Sequence, residues 1–77
     1  MRGYVKSVMG MKKFGFIRGP QFEYFFHRQD FQGHWDDLVN DFDMKQKIEV
    51  EFDVRDNPKG PRAANVRRID FPNQVGG

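Results

Sequence analysis

Between residues 12 and 18 the chain alternates cationic and aromatic side chains. Lys12, Phe14, Phe16 and Arg18 fall on one side of an extended strand, and Lys13, Gly15, Ile17 and Gly19 on the other. A core face does not normally begin and end in charge. This spacing therefore places Phe14 and Phe16 toward solvent and Gly15 and Ile17 toward the interior. Flat rings interleaved with cations suit single-stranded nucleic acid, whose bases stack on π-faces while cations follow the phosphates. In the next run, Glu23, Phe25 and His27 share one side and Tyr24, Phe26 and Arg28 the other. Period alone leaves open which of these sides faces out. The same pattern also admits Phe14, Phe16 and Phe25 as plain core in a domain poor in aliphatic residues.

These side chains need strands to position them. The clearest strand signal spans residues 45–55, where Ile48, Val50, Phe52 and Val54 alternate with Glu49, Glu51 and Asp53. The turn-forming stretch Asp56-Asn57-Pro58-Lys59-Gly60-Pro61 follows, and residues 62–69 read as a strand returning beside the first. Upstream, residues 3–9, 13–18 and 23–28 are short β-prone runs separated by turn residues. Residues 29–44 show no clean period and read as a long ordered loop with a single helical turn. Five short strands without a long helix predict a small closed antiparallel barrel, because closure removes exposed sheet edges. One domain over residues 1–70 is expected, with a short C-terminal tail at 71–77, where Pro72, Gly76 and Gly77 suggest fraying.

Composition narrows the classes. A chain of 77 residues makes one small domain with a marginal core. With no cysteine it has no disulfide, no cysteine zinc site and no cysteine nucleophile. No apolar run approaches the ~20 residues of a membrane span, so a cytoplasmic protein without membrane contact is expected. Nine Phe, two Tyr and one Trp stand in a chain that is 31% charged, with a mean hydropathy of −0.81. The net charge of +2 hides an asymmetry. Residues 1–28 hold six basic groups against Glu23 alone, residues 29–57 nine acidic against three basic, and residues 58–77 four basic against Asp70. That distribution implies a basic face suited to polyanions and a separate acidic face.

Several strings carry a family likeness: Gly3-Tyr4-Val5-Lys6, Lys12-Lys13-Phe14-Gly15-Phe16-Ile17, Tyr24-Phe25-Phe26-His27, and Lys59-Gly60-Pro61-Arg62-Ala63-Ala64-Asn65-Val66. In this order and spacing they resemble the cold-shock domain family over residues 2–69. The resemblance implies an all-β, five-stranded antiparallel Greek-key OB-fold barrel that binds single-stranded RNA or DNA on the face of its first three strands. It also implies stacking roles for Phe14, Phe16, Phe25 and His27, and places for Lys6, Lys12 and Lys59 along the nucleic-acid backbone. Tyr24 and Phe26 fall on its core positions. Trp35 falls on a further stacking position in the loop after the third strand, given one deletion between Gln32 and Leu38.

The chain departs from the family pattern at two stacking positions, Ser7 in place of a tryptophan and Arg28 in place of an aromatic. Each lost stack is worth ~1–3 kcal/mol, so binding about 2–6 kcal/mol weaker is expected unless the Arg28 guanidinium or Trp35 compensates. The function implied is that of a non-catalytic module binding single strands, as an RNA chaperone or transcription regulator, monomeric or weakly dimeric. The alternative is a protein-interaction or self-association module using the same aromatic face. The cations Lys6, Lys12, Lys13 and Arg18 favour phosphates over a dry protein interface.

Other residues read as structural. His27, Asp30 and His34 lack the spacing of a metal site, and no metal or cofactor is expected. No nucleophile, base and orienting group stand at recognisable spacing, so catalysis is not expected. Asp36, Asp37, Asp41 and Asp43 read as a solvated face pointing away from the binding surface, and Phe22 as a lid on the core, a role that is also open to Trp35.

Overall fold

Alternating apolar and polar residues become strands in the computed structural model, which describes residues 1–70. The strands are β1 (Arg2–Met9), β2 (Phe14–Arg18), β3 (Glu23–His27), the two-residue β4 (Phe31–Gln32), β5 (Glu49–Arg55) and β6 (Arg62–Arg68). A 3-10 turn covers Arg28–Asp30, and the helix α1 covers Trp35–Asp43. Antiparallel pairing joins the five longer strands in the order β3-β2-β1-β5-β6. The ring closes where β3 meets β6 at Phe25 and Arg62, and β4 adds to β6 near Phe31 and Val66. The expected five-stranded barrel is formed, but these two β6 contacts are parallel rather than antiparallel.

Register decides the side of β3 that periodicity left open. Ile17 pairs with Tyr24 and Gly15 with Phe26, and paired residues share a face, so Tyr24 and Phe26 turn inward with Ile17. Tyr24, Phe26 and Phe52 are buried as expected, with Val5, Ile17, Ile48, Val50, Ala63 and Val66. Gly15 is required here. A Cβ at this position would lie 2.6 Å from the Ser7 carbonyl oxygen and 2.9 Å from a Phe26 ring carbon. Only glycine lets β2 lie this close to the core while its neighbours Phe14 and Phe16 point away.

The segment after β3 departs from expectation. Instead of a loop with one turn, it holds the nine-residue helix α1. Trp35, Leu38, Val39 and Phe42 lie at the spacing i, i+3, i+4, i+7 and turn one stripe against the barrel. Leu38 is fully buried and Trp35 is 7% exposed. Asp36 and Asp37 in the first turn suit the positive end of the helix dipole. Asp41 binds Arg68 of β6 at 2.7 Å, and Asp70 binds the same guanidinium at 2.7 Å. Helix and barrel are thereby clamped together.

Two further expectations are corrected. Phe22 is not a lid: it is largely exposed, its ring edge-on to Tyr24 at 6.3 Å. Val54 pairs with buried Ala63 but is itself exposed, because it lies at the mouth of the barrel beside Phe22 and Pro61. The expected tail at 71–77 lies outside the described residues. Among the described residues no helix is long and apolar enough to cross a membrane.

Candidate nucleic-acid interface

The pairing of β1, β2 and β3 arranges their outward residues as a grid of three rows. The first row is Met9, Phe14 and His27; the second is Ser7, Phe16 and Phe25; the third is Tyr4, Arg18 and Glu23. Through the β3–β6 contact, Arg62 joins the end of the second row. Phe14, Phe16 and Phe25 are partly exposed and touch one another, with centroids 5.5 Å apart for Phe14 and Phe25, 5.8 Å for Phe16 and Phe25, and 6.1 Å for Phe14 and Phe16. Such pairs prefer tilted and edge-to-face contacts, which hold the rings without covering them. The sheet therefore brings together the three phenylalanines singled out by sequence.

His27 completes the aromatic corner. Its Nδ1 accepts the Gln29 backbone N–H at 3.2 Å, so in the neutral ring the proton sits on Nε2. Its own backbone N–H donates to Asp30 Oδ2 at 3.0 Å, which makes a capping box of the 3-10 turn. Arg28 follows immediately. Its backbone N–H donates to the Lys13 carbonyl at 2.8 Å and ties the turn to the β1–β2 connection. That connection needs Lys13 at φ 63°, and Lys12 within it is exposed.

The remaining cations differ in freedom. Lys6 sits at a register shift in β1, and its Nζ is paired with Glu23 across the sheet. Arg18 also reaches Glu23, at 3.5 Å. The hydrogen bond from Lys6 holds the Glu23 carboxyl below its usual pKa. Lys59 is exposed in the β5–β6 turn, where its backbone N–H donates to Asn57 Oδ1 at 3.0 Å.

Trp35 is largely buried, and only its edge meets the recess beside Lys13, His27 and Arg28. Its ring packs edge-on against Phe26 and Phe31, at 6.0 and 6.3 Å, and its indole N–H reaches the Gly10 carbonyl at 3.5 Å. The helical stripe, unseen as a period, buries it. Nor does the acidic segment wholly face away: Asp36 and Asp37 border a recess that also meets Lys13, His27 and Arg28. Among the described residues no His, Cys, Asp and Glu side chains are grouped as a metal ion would require.

Sequence reasoning passed over Tyr4, Met9 and Arg62. Tyr4 and Met9 are exposed on the grid, and Lys47 lies 5.4 Å from the Tyr4 ring centre. The parity of β1 signals Tyr4, which it places with Lys6, but not Met9, which reaches the outer face only through the register shift between Val5 and Ser7. Arg62 carries no local signal, since it reaches the site only through barrel closure.

The family model of the 'Cold-shock' DNA-binding domain matches residues 1–69. The chain belongs to this family. No individual curated protein sequence matches it. The cold-shock domain is a nucleic-acid-binding fold, and a surface of rings and cations is the form such binding takes when bases are unpaired. In this cold-shock domain the second row of the grid begins with Ser7, so its aromatic row starts one strand later, at Phe16.

Proposed function

We propose that the outer face of β1, β2 and β3 binds single-stranded RNA or DNA with low sequence specificity, and that the protein acts as an RNA chaperone or a transcription regulator. The observation that carries this reading is the cluster of Phe14, Phe16 and Phe25. The three rings touch on the outside of strands whose alternate residues, Gly15, Ile17, Tyr24 and Phe26, are buried. Three adjoining phenylalanines left partly exposed on one face form a contiguous apolar patch, and such patches mark interaction sites.

In this reading bases stack on Phe14, Phe16, Phe25 and His27, while Lys12, Arg28 and Lys59 approach phosphates, joined by Lys6 when Glu23 releases it. Stacking holds bases apart from one another and so opposes weak secondary structure. Every base has a π-face, which makes the binding tolerant of sequence.

The test is fluorescence anisotropy of end-labelled oligo-dT and oligo-U, titrated with the protein at two salt concentrations. Binding that weakens with salt, and that Phe16→Ala weakens further at both, supports the reading. Absence of binding at low salt, together with a dimer on size exclusion, overturns it in favour of self-association.

A further inference from the structure

The second row of the grid ends in a cation. Arg62 is the register partner of Phe25 in the β3–β6 contact, and its guanidinium carbon lies over the Phe25 ring, 5.7 Å from the centroid. The guanidinium is held in place. Its Nε and one terminal nitrogen both donate to Asp30 Oδ2, at 3.2 and 2.9 Å. The same oxygen accepts the His27 backbone N–H at 3.0 Å. Asp30 thus couples the turn that orients His27 to the group lying over Phe25. The Arg62 side chain is 36% exposed, against 17% for Asp30, so the cation is the accessible member of the pair.

Three features suit this group to a base. A guanidinium is planar and stacks on rings, and bases are read in this way in single-stranded complexes. A plane fixed before binding loses less freedom than a mobile side chain. On its other side Arg62 pairs with exposed Arg55 of β5, and like charges placed opposite one another repel. An approaching nucleotide, whose phosphate is anionic, relieves that repulsion.

We propose that Arg62 is a base-stacking platform at the β6 end of the second row, and that Asp30 is the residue that positions it. The row loses an aromatic at Ser7 on β1 and gains a flat cation on β6. The nucleotide stacks on the guanidinium with Phe25 beneath it, so the cation is attracted to a π-system on each side. This inference rests on the β1–β3 face being the single-strand interface.

The test separates stacking from simple phosphate contact. Affinity for end-labelled oligo-dT is measured at about 50 and 200 mM salt for the wild-type protein and for R62A, R62K, D30N, D30N/R62A and F16A. Stacking predicts that R62A weakens binding by about tenfold and that R62K, which keeps the charge but not the plane, loses nearly as much. It also predicts that D30N weakens binding on its own but adds nothing in the R62A background. Thermal melting of each variant, with a near-native midpoint, assigns the losses to binding. The side-chain amide introduced by D30N retains an acceptor oxygen for the His27 N–H and for the Arg62 guanidinium alike, so the turn survives and the substitution removes only the charge that holds Arg62.

R62K at wild-type affinity, with the log–log salt slope of R62A shallower by about 0.7, makes Arg62 a phosphate contact and overturns the proposal. So does R62A at wild-type affinity while F16A is impaired. D30N at wild-type affinity removes the charge of Asp30 from the positioning role. If F16A is also unimpaired, the underlying interface is wrong, and the inference falls with it.

Discussion

Glu23 on β3 holds the ammonium of Lys6 on β1, reaching across β2 to do so, and the same carboxylate also binds Arg18. One acidic residue therefore occupies two cations on a face otherwise suited to phosphates. Glu23→Gln is expected to tighten oligonucleotide binding several-fold at low salt, with the gain shrinking as salt screens the released charges. Anisotropy titrations of the variant and the wild-type protein at two ionic strengths check this. An unchanged affinity would mean that Lys6 and Arg18 take no part in binding.

Acid affects the same group. Lys6 holds the folded-state pKa of Glu23 below its usual 4.5, and Arg67 does the same for Glu51. A carboxylate with a depressed folded pKa contributes stability that is complete above its unfolded value and is lost as pH falls through the folded one. Stability is therefore expected to hold from neutrality to about pH 5 and to decline below the usual carboxylate range. The decline should be smaller in E23Q, as read by chemical denaturation across that window. Both side chains keep substantial contact with solvent, so the difference will be small.

Inward and outward rings should separate cleanly on substitution. Phe14→Ala, Phe16→Ala and Phe25→Ala are each expected to cost about 1–3 kcal/mol of binding, with a smaller loss of stability. Phe26→Ala and Trp35→Ala remove buried rings and should cost about 3–5 kcal/mol of stability, enough to unfold much of a small domain. Parallel denaturation and binding measurements check both halves. Stability losses of core size in all three surface variants would show those rings to be structural.

Ser7 offers a gain of function. It stands beside Phe16 in the second row, half-exposed. Ser7→Trp is expected to add a stacking surface worth about 1–3 kcal/mol of oligonucleotide affinity at little cost in stability. Equal affinities of variant and wild type would show that the strand does not pass over β1.

Arg68 should matter for stability alone. Its side chain is nearly buried and bridges Asp41 of α1 and Asp70. Arg68→Ala leaves these carboxylates without that cation and is expected to cost about 3 kcal/mol, with α1 loosened. Hydrogen exchange should then rise in α1 while the affinity of the remaining folded protein stays unchanged.

Much of the barrel and most of its outer face were legible in the sequence, because a strand's period of two sorts residues by side without reference to any partner. Lys12, Phe14, Phe16 and Arg18 declared an outward face by beginning and ending in charge. Phe25 could not be sorted alone, since neither side of β3 carries such a signature. The helix was missed although Trp35, Leu38, Val39 and Phe42 have its spacing, because the polar residues among them mask the stripe and short helices depend on packing for their stability. With the helix went Trp35, which a loop would have exposed and a helix buries. Val54 and Phe22 depended on where the barrel ends, which a local pattern does not encode.

What the sequence determined by itself was the alternation within each strand, the aromatic and cationic content of one face, and, through its strings of residues, the family. The tertiary structure alone decided which residues stand side by side. Phe16 meets Phe25, Lys6 meets Glu23, and Arg62 meets both Phe25 and Asp30 only because register and barrel closure bring together positions as distant in the chain as 25 and 62. Periodicity acts within one strand and expresses the geometry of a single chain. Adjacency across strands is set by hydrogen-bond register, which burial of the inner face selects.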